Sequence, residues 1–321
     1  MAKVKADRGV RDTTIKIYRR HLDKLANEIT GKDFKDIKFI KKDISKIKSF
    51  LKKQTQSTKK NYIASALVAI SPHEKKKPLK GYEKVYDDLV DMLLAEHKKY
   101  NDFIATKEKS VRENDNWVDW EDVLKLQRKY GRDIKKKGYK QSTKELFDKK
   151  DMDLIQKYLV ISLYSLHSPR RLEYADTKII SNSKFQDLTE NEKDNNIYLV
   201  VVSRNKKFFS FGKNVVKSET KENVKIPVDR SLNSVLNLWL NFNKSDNLLL
   251  DSRGNKLTKN GLSKFLNKTF APTGKKISAS MLRKIKISHE FNPEEVEKKQ
   301  KLAEEMNHSV GVQQSVYLKK D

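Results

Sequence analysis

The 321-residue chain contains no cysteine, only ten glycines and six prolines. Without cysteine there is no disulfide scaffold, no zinc knuckle and no thiol nucleophile. With so little glycine, no Gly-rich phosphate loop is present, and the six histidines are scattered rather than paired in an HExxH arrangement. Acidic residues are plentiful in the helical stretches, but nothing singles out a metal-binding carboxylate set. No cofactor and no metal are therefore expected. Long apolar runs are also missing: Ile197–Val202 is among the longest and is far too short to cross a bilayer. The opening MAKVKADRGV lacks the apolar stretch of a secretory signal, so an intracellular protein without membrane contact is expected.

Acidic residues are outnumbered. Lys and Arg number 70 against 43 Asp and Glu, a formal charge of +27. The first hundred residues carry +13 and residues 151–321 carry +10, so this is not a neutral protein with one basic tail. Such a charge repels itself unless a polyanion neutralises it, and a phosphate backbone is the usual polyanion. At 36% hydrophobic residues the chain has enough apolar matter for two modest cores.

The length suits two domains. In the first hundred residues Asp12 is placed to cap a helix in which Ile15, Tyr18, Leu22, Leu25 and Ile29 recur at helical spacing. Ile44, Ile47 and Leu51 form a second stripe. A third helix is expected from Ser57 to Ile70, and a fourth through Val85, Leu89, Met92 and Leu93. Residues 101–116 show no sustained period. A helix around Trp117–Tyr130 follows, then the basic run Gly131–Gln141, which reads either as a solvated loop or as a DNA-backbone contact.

The second half opens with the apolar helix Asp151–His167. Three β-rich runs come next, Ile197–Ser203, Phe208–Val216 and Asn223–Val228, with a polar turn at Ser218–Glu222. Helical patterns return at Leu232–Leu240, Lys259–Phe270, Ser278–His289 and Pro293–Met306. The expected fold is mostly α with a small antiparallel β-sheet. Its divisions are a helical domain over 1–105, a junction with a helix over 106–145, and a second domain over 146–321.

Three segments of that second domain stand together. Arg170-Arg171-Leu172-Glu173 directly follows the apolar helix, Ser280-Met281-Leu282-Arg283 opens another helix, and Ala303–Ser309 holds His308 nine residues before Tyr317. In this order and spacing the chain resembles the tyrosine recombinase, or phage-type integrase, family. That family has an Arg-x-x-Glu after a core helix, a lysine in a β-hairpin turn, a His-x-x-Arg on a later helix, and a final histidine nine residues before a nucleophilic tyrosine. Arg170 and Glu173 match the first element, Arg283 the third, and His308 and Tyr317 the last. Arg171 competes with Arg170, but Arg170 sets Glu173 at the family's spacing, which leaves Arg171 as a phosphate contact. The wording near Arg170 and Met306 also resembles integrase-like genes of large DNA viruses and virophages. A mobile-element origin, viral genome integration, and a site of action in host cytoplasm, virus factory or nucleus are the corresponding expectations.

The resemblance implies a site-specific recombinase that breaks and rejoins DNA through a 3′-phosphotyrosyl link, without metal or ATP. It implies a DNA core-binding role for the helical domain, a catalytic role for 146–321, and a homotetramer holding two double-stranded DNA sites. The chemistry suits the residues. Two guanidiniums offer bidentate, permanently charged donors to a phosphate in flight, which lysine cannot copy. A phenolate is both a good nucleophile and a good leaving group for the reverse step, and a lysine beside the departing 5′ oxygen serves as general acid.

Two positions depart from the family pattern. Ser280 replaces its first histidine and removes one cationic contact, so it is expected in a supporting role with Glu173. Asn307 replaces a glycine, and asparagine tolerates a left-handed backbone better than most residues. His289, six residues beyond Arg283, is turned away on the helix and is read as structural. Lys213, Lys217 and Lys221 compete for the hairpin position. Counting back from Ile226-Pro227 favours Lys217 and leaves Lys213 and Lys221, with Lys59 and Lys60 of the first domain, as DNA contacts. Only four residues follow Tyr317, so subunit contacts are expected to differ from those of relatives with a further C-terminal helix. Rival expectations are DNA relaxation of the type IB topoisomerase kind, or an inactive DNA-binding protein of the same fold.

Overall fold

The computed structural model describes residues 10–73, 77–139, 148–216, 222–307 and 309–313. They fall into two compact units, Met1–Glu108 and Lys109–Asp321.

The first unit is helical: α1 (Asp12–Thr30), α2 (Lys38–Lys42), α3 (Ile44–Lys52), α4 (Gln56–Ile70) and α5 (Glu83–Ala105). The apolar stripes of the sequence meet in one core, where Leu22 and Leu25 of α1 pack with Ile47 and Leu51 of α3, Ile63 of α4 and Leu89 of α5. Each such fully buried side chain contributes about 1.5–3 kcal/mol. Gly31 ends α1 in a left-handed conformation (φ 69°) and donates its amide to Asn27 O. The last helix runs on to Ala105, well past Leu93, with Val85, Leu89 and Glu96 on its buried side.

The second unit begins with α6 (Val111–Asn116), α7 (Trp120–Lys136) and α8 (Lys149–Ser165). A four-stranded sheet follows: β1 (Thr177–Ser181), the short helices α9 (Asn182–Gln186) and α10 (Glu190–Asn195), then β2 (Ile197–Val201), β3 (Lys207–Phe211) and β4 (Val224–Pro227). The chain closes with α11 (Arg230–Phe242), α12 (Lys259–Phe270), α13 (Ala279–Glu290), α14 (Pro293–Glu305) and α15 (Val310–Val312). Helix α8 lies at the centre of this core, with Leu159, Val160, Ile161 and Leu163 fully buried. Two large buried side chains find partners for their polar atoms: Trp239 Nε1 donates to Leu248 O at 2.8 Å, and Tyr130 Oη donates to Thr269 O at 2.7 Å.

Three expectations are corrected. The sheet is mixed rather than antiparallel, because Thr177–Ser181 is an additional strand lying parallel to β2 in register Thr177↔Ile197. The helices α9 and α10 form the crossover that a parallel pair needs. Residues 111–116 form a helix, started by a reciprocal cap between Ser110 and Glu113. The run from Gly131 is not a loop at its start, since α7 continues to Lys136. A β-carbon on Gly131 would stand 3.2 Å from Tyr158 Oη, so the glycine lets α7 and α8 approach closely. Residues 118–139 bring Trp120, Val123, Leu126 and Ile134 into this unit's core.

The strand order is β1-β2-β3-β4, antiparallel after the first pair. Two-residue alternation sends Phe209 and Phe211 into the main core, while Phe208 packs with Phe185, Tyr198 and Val200 on the other face.

Candidate active site

The segment between α8 and β1 carries the first motif. It leaves the helix at Leu166 and closes with a 3₁₀ turn over Glu173–Asp176. Two tyrosines fix it. Tyr164 Oη donates to Arg171 O, Tyr174 Oη donates to Leu163 O at 3.4 Å, and the two rings meet edge to face at 5.4 Å. Burial holds the Tyr174 phenol far above its ordinary range, with Arg170 opposing that rise, so the group is a neutral strut. Asp176 anchors the far end by accepting Lys256 at 2.7 Å and Lys259 at 2.8 Å. On the strand side, a ring nitrogen of His167 sits 3.1 Å from Pro227 O.

This frame presents Arg170. Its guanidinium carbon lies 3.7 Å from the centroid of the Phe211 ring. Its Nε is buried without a hydrogen-bond partner, and among the described residues no carboxylate comes within ion-pair distance of it. Glu173, which opens the 3₁₀ turn three residues on, is 7% exposed, and its Oε2 is likewise buried and unpartnered. Leaving a buried donor unpaired costs about 1–3 kcal/mol. A half-buried cation stacked on an aromatic ring, with donors unspent and no acid paired to it, is an arrangement an oxyanion would complete.

Arg283 and Ser280 come from α13, whose start is capped by Ser278 Oγ accepting Met281 N at 3.2 Å. Met281, Leu282 and Ile285 are buried and fix the helix. Arg283 is half-buried and has no ion-pair partner among the described residues; Ser280 is exposed. The three- and four-residue spacing puts Ser280, Arg283 and Lys284 on one flank, and Lys284 is tied to Glu113 of α6. His289 sits beside the Trp120 ring at 6.4 Å, a packing position.

Lys217, Lys221, His308 and Tyr317 lie outside the described residues. The residue before His308 is described: Asn307 has φ 59° and ends α14 in the left-handed region. Lys213 is paired with Asp194 at 2.8 Å, and its amide donates to Asn223 Oδ1, so it closes the base of the β3–β4 connection. The Arg171 side chain is exposed. In the first unit Lys59 pairs with the buried Glu96 at 2.8 Å, and Lys60 lies over the Tyr100 ring at 4.1 Å. Among the described residues no group of three or more His, Asp or Glu is placed to hold a metal ion, and no helix is long and apolar enough to cross a membrane.

Phe211, the platform for Arg170, was not among the residues the motifs point to. The alternation of β3 places it on the inner face with Phe209, but only the tertiary path of the 166–172 segment brings Arg170 onto it.

No protein-family model matches the chain, and no curated protein matches it. Among solved structures it is similar to a XerA recombinase, at 14% identity, with 98% of this chain and 89% of that one covered and a TM-score of 0.31. A score that low carries no argument about fold, so the functional reading rests on residues of this chain.

Proposed function

We propose that the chain breaks and rejoins DNA strands as a site-specific tyrosine recombinase. The observation that carries this reading is Arg170, half-buried on Phe211 with its Nε buried and unpartnered. Arg170 and Glu173 are the first motif of the resemblance, and Tyr164 and Tyr174 hold the segment that carries them by hydrogen bonds to Arg171 O and Leu163 O. The left-handed Asn307 supports the last motif, because the family's glycine at that place asks for the same backbone.

In this reading Arg170 and Arg283 hold the non-bridging oxygens of the scissile phosphate. The Tyr317 oxygen attacks phosphorus and loses its proton. The P–O5′ bond breaks, and the departing 5′ oxygen takes a proton from a lysine, for which Lys217 is the candidate. The product is a 3′-phosphotyrosyl link and a free 5′-hydroxyl, which a second strand reverses. Glu173 holds the arginine segment, Ser280 offers a hydroxyl to the phosphate, and His308 stands beside Tyr317. Double-stranded DNA is the partner, gathered by a basic surface, and four copies hold two sites.

The test uses nicked duplexes tiled across the ends of the source element, mixed with protein in EDTA and run on a denaturing gel. A covalent adduct that Tyr317→Phe abolishes is the expected result. Tight binding with no adduct on any duplex overturns the enzymatic reading. Relaxation of supercoiled plasmid without joining of two sites moves the assignment to a topoisomerase.

A further inference from the structure

The β2–β3 turn, residues 202–206, is built far more heavily than a surface turn requires. Its residues are exposed, and it closes through Val202 and Ser203 amides donating to Lys206 O, both at 3.0 Å, with Asn205 N donating to Ser203 Oγ at 3.3 Å. Beneath it lies Lys207, only 3% exposed. The Lys207 ammonium donates to Arg204 O at 2.8 Å, Asn233 Oδ1 at 2.7 Å and Asn237 Oδ1 at 2.6 Å. The amides of Asn233 and Asn237 donate in turn to the same Arg204 carbonyl, at 3.1 and 3.0 Å. Three donors from strand and helix thus converge on one carbonyl of the turn.

A buried lysine without a carboxylate is among the costliest residues a core can hold, and an apolar side chain of similar volume is cheaper there. What this one does is fix the direction of Arg204. Neither Arg204 nor Lys206 has an acidic partner among the described residues, so the turn shows two unneutralised cations above a third. The Lys207 ammonium is pushed below its ordinary value, by burial first and by the Arg204 charge second, so the Arg204 charge is felt at the buried site. An anion at the turn relieves that repulsion.

We propose that this turn is a second phosphate contact of the unit, with Arg204 and Lys206 touching the DNA backbone and Lys207 acting as the positioning residue beneath them. The proposal rests on the DNA reading above and adds a place on the duplex. Lys207 and Phe211 are four residues apart on β3, about 13 Å at ~3.3 Å per residue. The turn is therefore set apart from the Arg170 site by the length of β3, and would meet a different phosphate.

The test is the salt dependence of binding to a fluorescein-labelled duplex, measured by anisotropy for wild type, Arg204→Gln/Lys206→Gln and Lys207→Met. Both altered side chains of the double variant are exposed, so its melting temperature is expected to stay at the wild-type value. Its log–log salt slope is expected to shrink by about 2, near 0.9 per lost phosphate contact. Lys207→Met, which cannot itself touch DNA, is expected to weaken binding, and to weaken it no further when Arg204 is already Gln. Wild-type slope and affinity in the double variant overturn this inference and leave the DNA reading standing. Additive losses from Lys207→Met and Arg204→Gln overturn the positioning role. A wild-type chain that binds no duplex overturns the DNA reading itself, and this inference with it.

Discussion

Arg170 is carried on the face of Phe211, 3.7 Å from guanidinium carbon to ring centroid, with its Nε buried and unpaired. The ring orients the cation without neutralising it. Phe211→Leu keeps apolar volume and removes the ring's attraction, about 0.5–2 kcal/mol, so strand cleavage on a nicked duplex is expected to slow roughly 3- to 30-fold. Arg170→Lys keeps the charge and loses the planar fork, with an expected loss of about a hundred- to thousand-fold. Single-turnover gels alongside anisotropy separate the two effects: binding is expected to stay within about twofold in both variants, one exposed-scale contact among many phosphate contacts.

Gly212 follows Phe211 directly, and a β-carbon there would meet Asp194 O at 2.3 Å and Lys193 O at 2.5 Å. Both are backbone atoms, so the strand end has to shift. Gly212→Ala is expected to destabilise the second unit by about 1–3 kcal/mol, as overpacking does, and to slow cleavage because Phe211 moves with it. Urea denaturation and the cleavage gel on the same preparation check both halves.

The pair Glu113–Lys284 joins α6 to α13, the helix of Arg283. The Lys284 ammonium first, with the Ser110 hydroxyl and amide, holds the Glu113 carboxyl down at about 2. A carboxyl depressed in the fold stabilises above its ordinary value, and that contribution fades as pH falls from about 4.5 to about 2. Because the Lys284 side chain is 60% exposed, the pair is worth about 1–2 kcal/mol rather than the full shift. Glu113→Gln is expected to lower the urea midpoint at neutral pH and to match wild type near pH 2. A difference that persists unchanged at the acidic end contradicts the pairing.

Asn307 sits at φ 59°, where a β-carbon costs about 1–2 kcal/mol for most residues and glycine nothing. Asn307→Gly is expected to cleave at least as well as wild type. Asn307→Val is expected to lose about 1 kcal/mol or more of stability and to slow cleavage, because the strain falls on the residue before His308. Thermal melts and initial rates for the two variants test the contrast.

Much of this was written in the chain's periodicities. The stripe Ile15–Ile29 and the pattern Lys259–Phe270 became helices because an apolar face at helical spacing has one way to bury itself. The spacing of Arg170 and Glu173 pointed to the segment that follows α8, where Arg170 precedes the 3₁₀ turn that Glu173 opens. What the chain hid was non-local. Thr177–Ser181 is too short and too mixed to read as a strand until Ile197–Val201 lies beside it. Gly131 looks like a helix end, and its reason is a tyrosine ring 27 positions away on α8. Lys207 is one lysine in a lysine-rich chain, and only the fold puts Asn233 and Asn237 around it.

The central claim is a covalent bond between DNA and one tyrosine. Trypsin and nuclease digestion of the gel-purified adduct, followed by mass spectrometry, reads it directly. The account predicts a nucleotide on the peptide spanning residues 302–319, with the phosphate on Tyr317. A nucleotide on any other residue, or full occupancy by nicked duplex with no modified peptide, contradicts it.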